Sequence, residues 1–96
     1  MKLEVVMFDI SISIENNKVL GKFIVDSYFF DPSKYDYAFY LYKDGEKVNT
    51  TRYKKSMEVA FDLKDFTGIL QIKAYIRDVE QGNKRSFYSE KISIAY

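Results

Sequence analysis

The clearest signal along the chain is a period of two. In VMFDISISIE, Phe8, Ile10, Ile12 and Ile14 are apolar, while Asp9, Ser11, Ser13 and Glu15 between them are polar. Successive side chains of an extended chain point to opposite faces, so this is the pattern of a strand with one face buried. Asn16-Asn17-Lys18 then supplies residues that tolerate a tight turn. VLGKFIVDSYFF (19–30) reads as a second strand, apolar on both sides, so alternation does not say which face turns inward. Pro32 breaks the pattern, because it lacks a ladder donor and biases Asp31 away from the helical region.

YDYAFYLYK (35–43) is read as the third strand and holds five rings, Tyr35, Tyr37, Phe39, Tyr40 and Tyr42, in nine residues. It is closed by Asp44-Gly45, a strong short-range hairpin signal, with EKVNTTRY (46–53) as the short return strand. SMEVAFDL (56–63) alternates again, with Met57, Val59, Phe61 and Leu63 on one side. KDFTG turns the chain into ILQIKAYIRD (69–78), which sets Leu70, Ile72, Ala74 and Ile76 against Gln71, Lys73, Tyr75 and Arg77. A loop with Gly82-Asn83 at its tip leads to SFYSEKISIAY (86–96), read as one last strand with Ile92 and Ile94 inward.

No segment carries a 3.6-residue period. Strands recurring roughly every 8–12 residues predict a sandwich or barrel. The expected architecture is one domain over residues 1–96, a seven-stranded antiparallel β-sandwich with no helix longer than a turn. Its predicted inward set is Phe8, Ile10, Ile12, Phe23, Val25, Phe39, Leu41, Val59, Phe61, Leu70, Ile72, Ala74 and Ile92. Tyr37 is expected at the edge of that core, with Ala38, Tyr40 and Tyr42 facing out.

Composition narrows the chemistry more than it adds to it. Ninety-six residues bury roughly 60–65% of their unfolded surface, enough for one core. With Lys+Arg 15 against Asp+Glu 14, the net charge of +1 gives no global pull toward nucleic acid or an anionic membrane. No run approaches the roughly 20 apolar residues of a membrane helix. MKLEVVMFDI carries Glu4 and Asp9 and no small-residue cleavage site, so it is not read as a secretory signal. Without His or Cys, Ser-His-Asp and Cys-His catalysis and the usual zinc sites are excluded. The carboxylates of Asp31 and Asp36, and of Asp62 and Asp65, are close in sequence, but acids in turns more often accept local backbone hydrogen bonds. The Asp-rich loop lacks a recognised calcium-ligand spacing. No enzyme activity, cofactor or metal is expected.

Two surface features invite a binding reading. If Phe39 and Leu41 face inward and the strand from Ile69 lies alongside, one open sheet face carries Tyr40, Tyr42, Lys73, Tyr75 and Arg77. Tyr offers a large apolar body with a polar tip at low entropy cost, which suits proteins or sugars. Plain cross-strand pairing of good strand residues accounts for the same pattern and is the favoured alternative. In TTRYKKS (50–56), Arg52, Lys54 and Lys55 suit phosphate, or simply a solvated edge whose lysines discourage strand addition, and the edge reading is favoured. Asn49-Thr50-Thr51 matches the N-glycosylation acceptor pattern, which matters only in a secreted eukaryotic protein.

Several of these motifs together resemble a family. Tyr37-x-Phe39-x-Leu41 followed by Asp44-Gly45, Leu63 ahead of Gly68, the alternating strand through Ile76, and Ser86-Phe87-Tyr88-Ser89-Glu90 before the last strand are similar to fibronectin type III and immunoglobulin-like sandwiches. Within them, residues 19–94 most resemble the bacterial "three Y" module. That resemblance implies a non-catalytic accessory domain of a larger sensor, cell-surface or carbohydrate-acting protein, extracytoplasmic or at the cell surface. Its implied role is spacing, or docking other domains of the parent chain or a protein partner. Carbohydrate held by the outward tyrosines is the alternative, and neither nucleic acid nor membrane insertion is expected. The chain departs from the family where a Gly-x-Tyr corner would open the sixth strand, since it reads Gly68-Ile69-Leu70 there.

Overall fold

A computed structural model describes residues 7–26, 30–62 and 67–94. They form two antiparallel sheets. β1 (Met7–Glu15), β2 (Lys18–Asp26) and β5 (Glu58–Asp62) make a three-stranded sheet in the order β1-β2-β5. β4 (Glu46–Thr50), β3 (Tyr35–Lys43), β6 (Gly68–Asp78) and β7 (Lys84–Tyr88) make the larger sheet in that order, and β8 (Ile92–Ile94) also pairs with β6. The one helical element among the described residues is a single 3₁₀ turn over Pro32–Lys34, capped by the Asp31 carboxylate, which accepts from the Ser33 amide at 3.0 Å.

The turns follow from local chemistry. Asn16 and Asn17 have φ of 51° and 62°, and Asp44 and Gly45 have 51° and 83°. A two-residue hairpin turn needs positive φ at both central positions, and Asn, Asp and Gly tolerate it best. Asp44 then fastens the hairpin to β6: its carboxylate accepts from the Ile69 amide at 2.9 Å, and its own amide donates to the Ile69 carbonyl at 2.8 Å. Gly68, at φ 124°, makes room for this, since a Cβ there would meet the Asp44 carboxylate at 2.8 Å.

The core lies between the sheets. Ile10, Ile12, Val19, Phe23 and Phe61 from the smaller sheet meet Tyr37, Phe39, Leu41, Leu70, Ile72, Ala74 and Ile76 from the larger one. Phe8, Val25, Val59 and Ile92 of the predicted set are only half-buried. Val19, Tyr37 and Ile76 join the core beyond that set. Tyr37 is not at the edge but fully buried, because its hydroxyl donates to the Pro32 carbonyl at 3.1 Å and so has no need of water. Leu63, Tyr28 and Phe29 lie outside the described residues.

Eight strands are present among the described residues, not seven, because the last predicted strand is two. Lys73 pairs with Tyr88 and Leu70 with Ile92. Three steps along β6 therefore correspond to four from Tyr88 to Ile92, which is a bulge with one extra residue. Buried Ser89 bridges the break. Its hydroxyl accepts from the Ile72 amide at 2.9 Å, and its own amide donates to the Ile72 carbonyl at 2.8 Å. β2 also begins one residue earlier than predicted, and β5 begins at Glu58 instead of Ser56.

Gly21 lies close against the opposing sheet. An added Cβ would sit 2.6 Å from Ile72 Cδ1 and 3.0 Å from Val59 Cγ1. Gly21→Ala should therefore lower stability, overpacking costing about 1–3 kcal/mol. A gain of at most about 1 kcal/mol from a stiffer unfolded chain offsets part of this. Urea denaturation should show a lower midpoint at unchanged slope, and an equal or higher midpoint would contradict the close approach.

Candidate aromatic and basic sheet face

The register of β3 with β6 fixes what the open face of the larger sheet presents. Asp36 pairs with Arg77, Ala38 with Tyr75, Tyr40 with Lys73 and Tyr42 with Gln71. With the residues that alternate with them, Tyr37, Phe39, Leu41, Ile72, Ala74 and Ile76, buried between the sheets, all eight point away from the core. On β7, Lys84, Ser86 and Tyr88 lie opposite Arg77, Tyr75 and Lys73 and share the same face. The five residues expected together, Tyr40, Tyr42, Lys73, Tyr75 and Arg77, are thus brought to one surface.

The rings and cations of this face are layered. Tyr40 and Tyr75 meet at 4.8 Å between centroids, inclined at 55°. The Lys47 ammonium stands 4.9 Å over Tyr40, and the Lys73 ammonium stands 5.1 Å over both Tyr75 and Tyr88. The Arg77 guanidinium lies 4.1 Å over Tyr53, with the Lys84 ammonium 5.9 Å from the same ring. Hydrogen bonding to Tyr75, and then to Tyr88, raises the Lys73 ammonium above its ordinary pKa and keeps it charged. Burial against the sheet raises the Tyr53 phenol, opposed by the nearby Arg77 charge.

Ala38 faces outward as expected, yet it is only 2% exposed. Its small side chain lies among larger neighbours and lines a shallow depression of about 280 Å³, together with Tyr40, Tyr53, Tyr75, Arg52 and Lys84. Tyr42 lies farther along the face, lining a second depression with Ile69, Gln71, Tyr88 and Lys91.

The register rows of this face hold one carboxylate, Asp36, and it is engaged. It accepts from Arg77 Nη2 at 2.9 Å and stands 3.1 Å from Lys55 Nζ, and the Arg77 hydrogen bond, then that of Lys55, holds its carboxyl below the usual range. Lys55 also donates to the carbonyls of Ser33 and Tyr35, so it stitches the 50–56 segment to the start of β3. Backbone bonds between Lys54 and Tyr37 and between Thr51 and Phe39 extend that stitching, leaving Arg52 and Lys54 exposed along an edge. Arg52, Lys54 and Lys55 are therefore not gathered into one anion site.

The paired acids do not converge either. Asp31 caps the 3₁₀ turn through Ser33, Asp36 serves Arg77 and Lys55, and Asp62 stands 3.1 Å from Lys18. Asp65 lies outside the described residues. Asn49 is exposed on β4, its side-chain oxygen accepting from the Thr50 amide at 2.9 Å. Among the described residues no three acids are grouped so as to hold a metal ion. No helix among them is long and apolar enough to cross a membrane.

Sequence reasoning missed Tyr53, Tyr88, Lys47 and Lys84. Taking 86–96 as one strand puts Tyr88 on the side of Ile92, and the bulge at Ser89 reverses it. A register shift between Leu41 and Tyr42 likewise hides which β4 residue stands over Tyr40. Comparison with protein-family models, with curated proteins and with solved structures finds no significant match.

Proposed function

We propose that this chain is a non-catalytic accessory module that docks a protein partner, or a neighbouring domain of a larger chain, on the outward face of β4-β3-β6-β7. The observation that carries this is the cluster on that face: Tyr40 against Tyr75 at 4.8 Å, flanked by Tyr53 and Tyr88 with cations over the rings. Tyr and Arg, here Tyr40, Tyr53, Tyr75 and Arg77, are the residue types that recur at the centres of protein recognition surfaces. An immunoglobulin-like or fibronectin type III-like sandwich is the finer fold reading. It is supported by a sheet of the first, second and fifth strands facing one whose centre is the third and sixth. In such a module the core holds the platform, and recognition lies outside it.

Carbohydrate is the alternative ligand for the same tyrosines. The cations standing over Tyr40, Tyr53, Tyr75 and Tyr88 count against it, because a sugar ring stacks on an open aromatic face.

Selection from a random displayed-peptide library should enrich peptides that bind the wild-type chain and not a Tyr40→Ala/Tyr75→Ala variant of unchanged fold. Amide-shift mapping should place them on β3, β6 and β7. Enrichment that ignores the two substitutions, or saturable binding only on a glycan panel, would refute the docking reading. Silence in both assays would leave a spacer.

A further inference from the structure

We infer that the occupant of the tyrosine face is an extended acidic segment of polypeptide, rich in Asp or Glu and bound by charge. This rests on the docking reading above and names its partner. The first support is an uneven spread of charge that the net value of +1 conceals. Lys47, Lys73, Arg77 and Lys84 stand on the face, and Arg52 rims its central depression. Asp36, the one carboxylate in its register rows, is held by Arg77 and Lys55. The outer face of the smaller sheet differs: Lys18 is paired with Asp62 at 3.1 Å and Lys22 with Glu58 at 3.4 Å, with Asp9 and Glu15 on the neighbouring strand. Both cations of that side are thus paired and acids remain beside them, whereas the other side presents cations to whatever approaches.

The second support is the layering. Nucleobases, like sugars, bind by stacking on an aromatic face. Here an ammonium or guanidinium already stands within about 5 Å of Tyr40, Tyr53, Tyr75 and Tyr88. A ligand that stacks on a ring must therefore compete with these cations. Carboxylates on flexible side chains can reach them without displacing them from the rings, and the ring edges remain for apolar contact between the acids.

The third support is size. β3 has 9 residues and four strands lie side by side. At ~3.3 Å per residue and ~4.8 Å between strands, the face measures roughly 30 by 15 Å. That is a flat footprint of about 450 Å². One extended segment of about nine residues matches its length.

The test uses the whole chain and a synthetic ten-residue peptide of alternating Glu and Ala, set against the same peptide with Gln for Glu. An oligothymidylate and a galacturonate oligomer serve as the other anions. The Glu peptide should move amide signals of Tyr40, Lys73, Tyr75 and Lys84 and leave those of Ser11 and Ala60 in place. Its affinity should fall about tenfold between 50 and 300 mM salt, as expected of exposed charges. Lys73→Glu/Lys84→Glu should abolish binding with the rest of the amide spectrum intact, and Lys18→Glu/Lys22→Glu should not. Equal binding of the Gln peptide at the same face would overturn the acidic partner and leave docking standing. Tighter binding of the oligothymidylate or the galacturonate would overturn it in favour of that ligand. Binding by none of the four probes would overturn it outright, while the library selection decides separately whether the face docks a peptide at all.

Discussion

Phe23→Ala should cost about 3–5 kcal/mol, the range for removing a buried aromatic ring. Phe23 is 2% exposed and points from the central strand of the small sheet into the rings of the large one. Its centroid lies 5.3 Å from Tyr37, 5.5 Å from Phe39, 6.1 Å from Phe8 and 6.4 Å from Phe87. Truncation removes a ring in contact with all four, and strands on both sides would have to shift to close the cavity. A domain of this size has a total stability of about 5–15 kcal/mol, so the variant should be partly unfolded at room temperature or melt far below the wild type. Ile24, the next residue, is 47% exposed on the opposite side of the same strand. Ile24→Ala should stay within about 0.5 kcal/mol, as surface changes do. Urea denaturation of the two variants measures the alternation directly. Equal losses at neighbouring positions would mean that β2 does not bury one row and expose the other.

That alternation is also why so much of the architecture is legible in the sequence. Ile10, Ile12, Phe39, Leu41, Leu70, Ile72 and Ala74 are buried as period two requires, because each sits in a run of uninterrupted pairing. Asn16-Asn17 and Asp44-Gly45 announce their hairpins through the backbone angles they tolerate. What fails does so where pairing slips by one residue. The bulge between Tyr88 and Ile92 turns one predicted strand into two and reverses the face of Tyr88. Nothing in Ser89 as a letter says that its hydroxyl will stand in for a ladder partner of Ile72. β2, apolar on both sides, hid Val19 among equally greasy neighbours such as Leu20, although Phe23 was read inward and is buried. Only the opposing sheet decides between the two rows.

The tyrosine face was half legible for the same reason. Tyr40, Tyr75, Lys73 and Arg77 sit on the two central strands, in the long uninterrupted register of β3 with β6. Tyr53, Lys47, Lys84 and Tyr88 come from the flanks, where bulges and loop lengths set the phase. A surface assembled from four strands is written partly in the spacing within strands and partly in how the edges slip. The first is a property of the sequence pattern and the second of the packed sheet.

Tyr37 shows how a polar atom was admitted to the core, and it gives the second large expected effect. The side chain is fully buried, and its hydroxyl donates to the Pro32 carbonyl at 3.1 Å. Burial first, then the negative charge that Tyr35, Asp31 and Asp36 place nearby, pushes its phenol from the ordinary 10.0 up to about 12. A phenol is neutral when protonated, so the folded state holds this proton more tightly than the unfolded chain. The corresponding stability is fully present below about pH 10 and is lost as pH rises from about 10 to about 12. At about 1.4 kcal/mol per pH unit the loss reaches about 2–3 kcal/mol. Tyr37→Phe removes both the hydrogen bond and the titration. Below pH 9 it should be less stable than wild type by about 0.5–1.5 kcal/mol, the net worth of such a bond. Above about pH 11 the order should reverse, because wild type must then keep a phenolate in its core or unfold to release it. Urea denaturation of the pair at pH 7, 9, 10.5 and 11.5 measures that difference. A gap that stays constant across the series would mean that the Tyr37 hydroxyl reaches solvent and that the rings around it do not close over it.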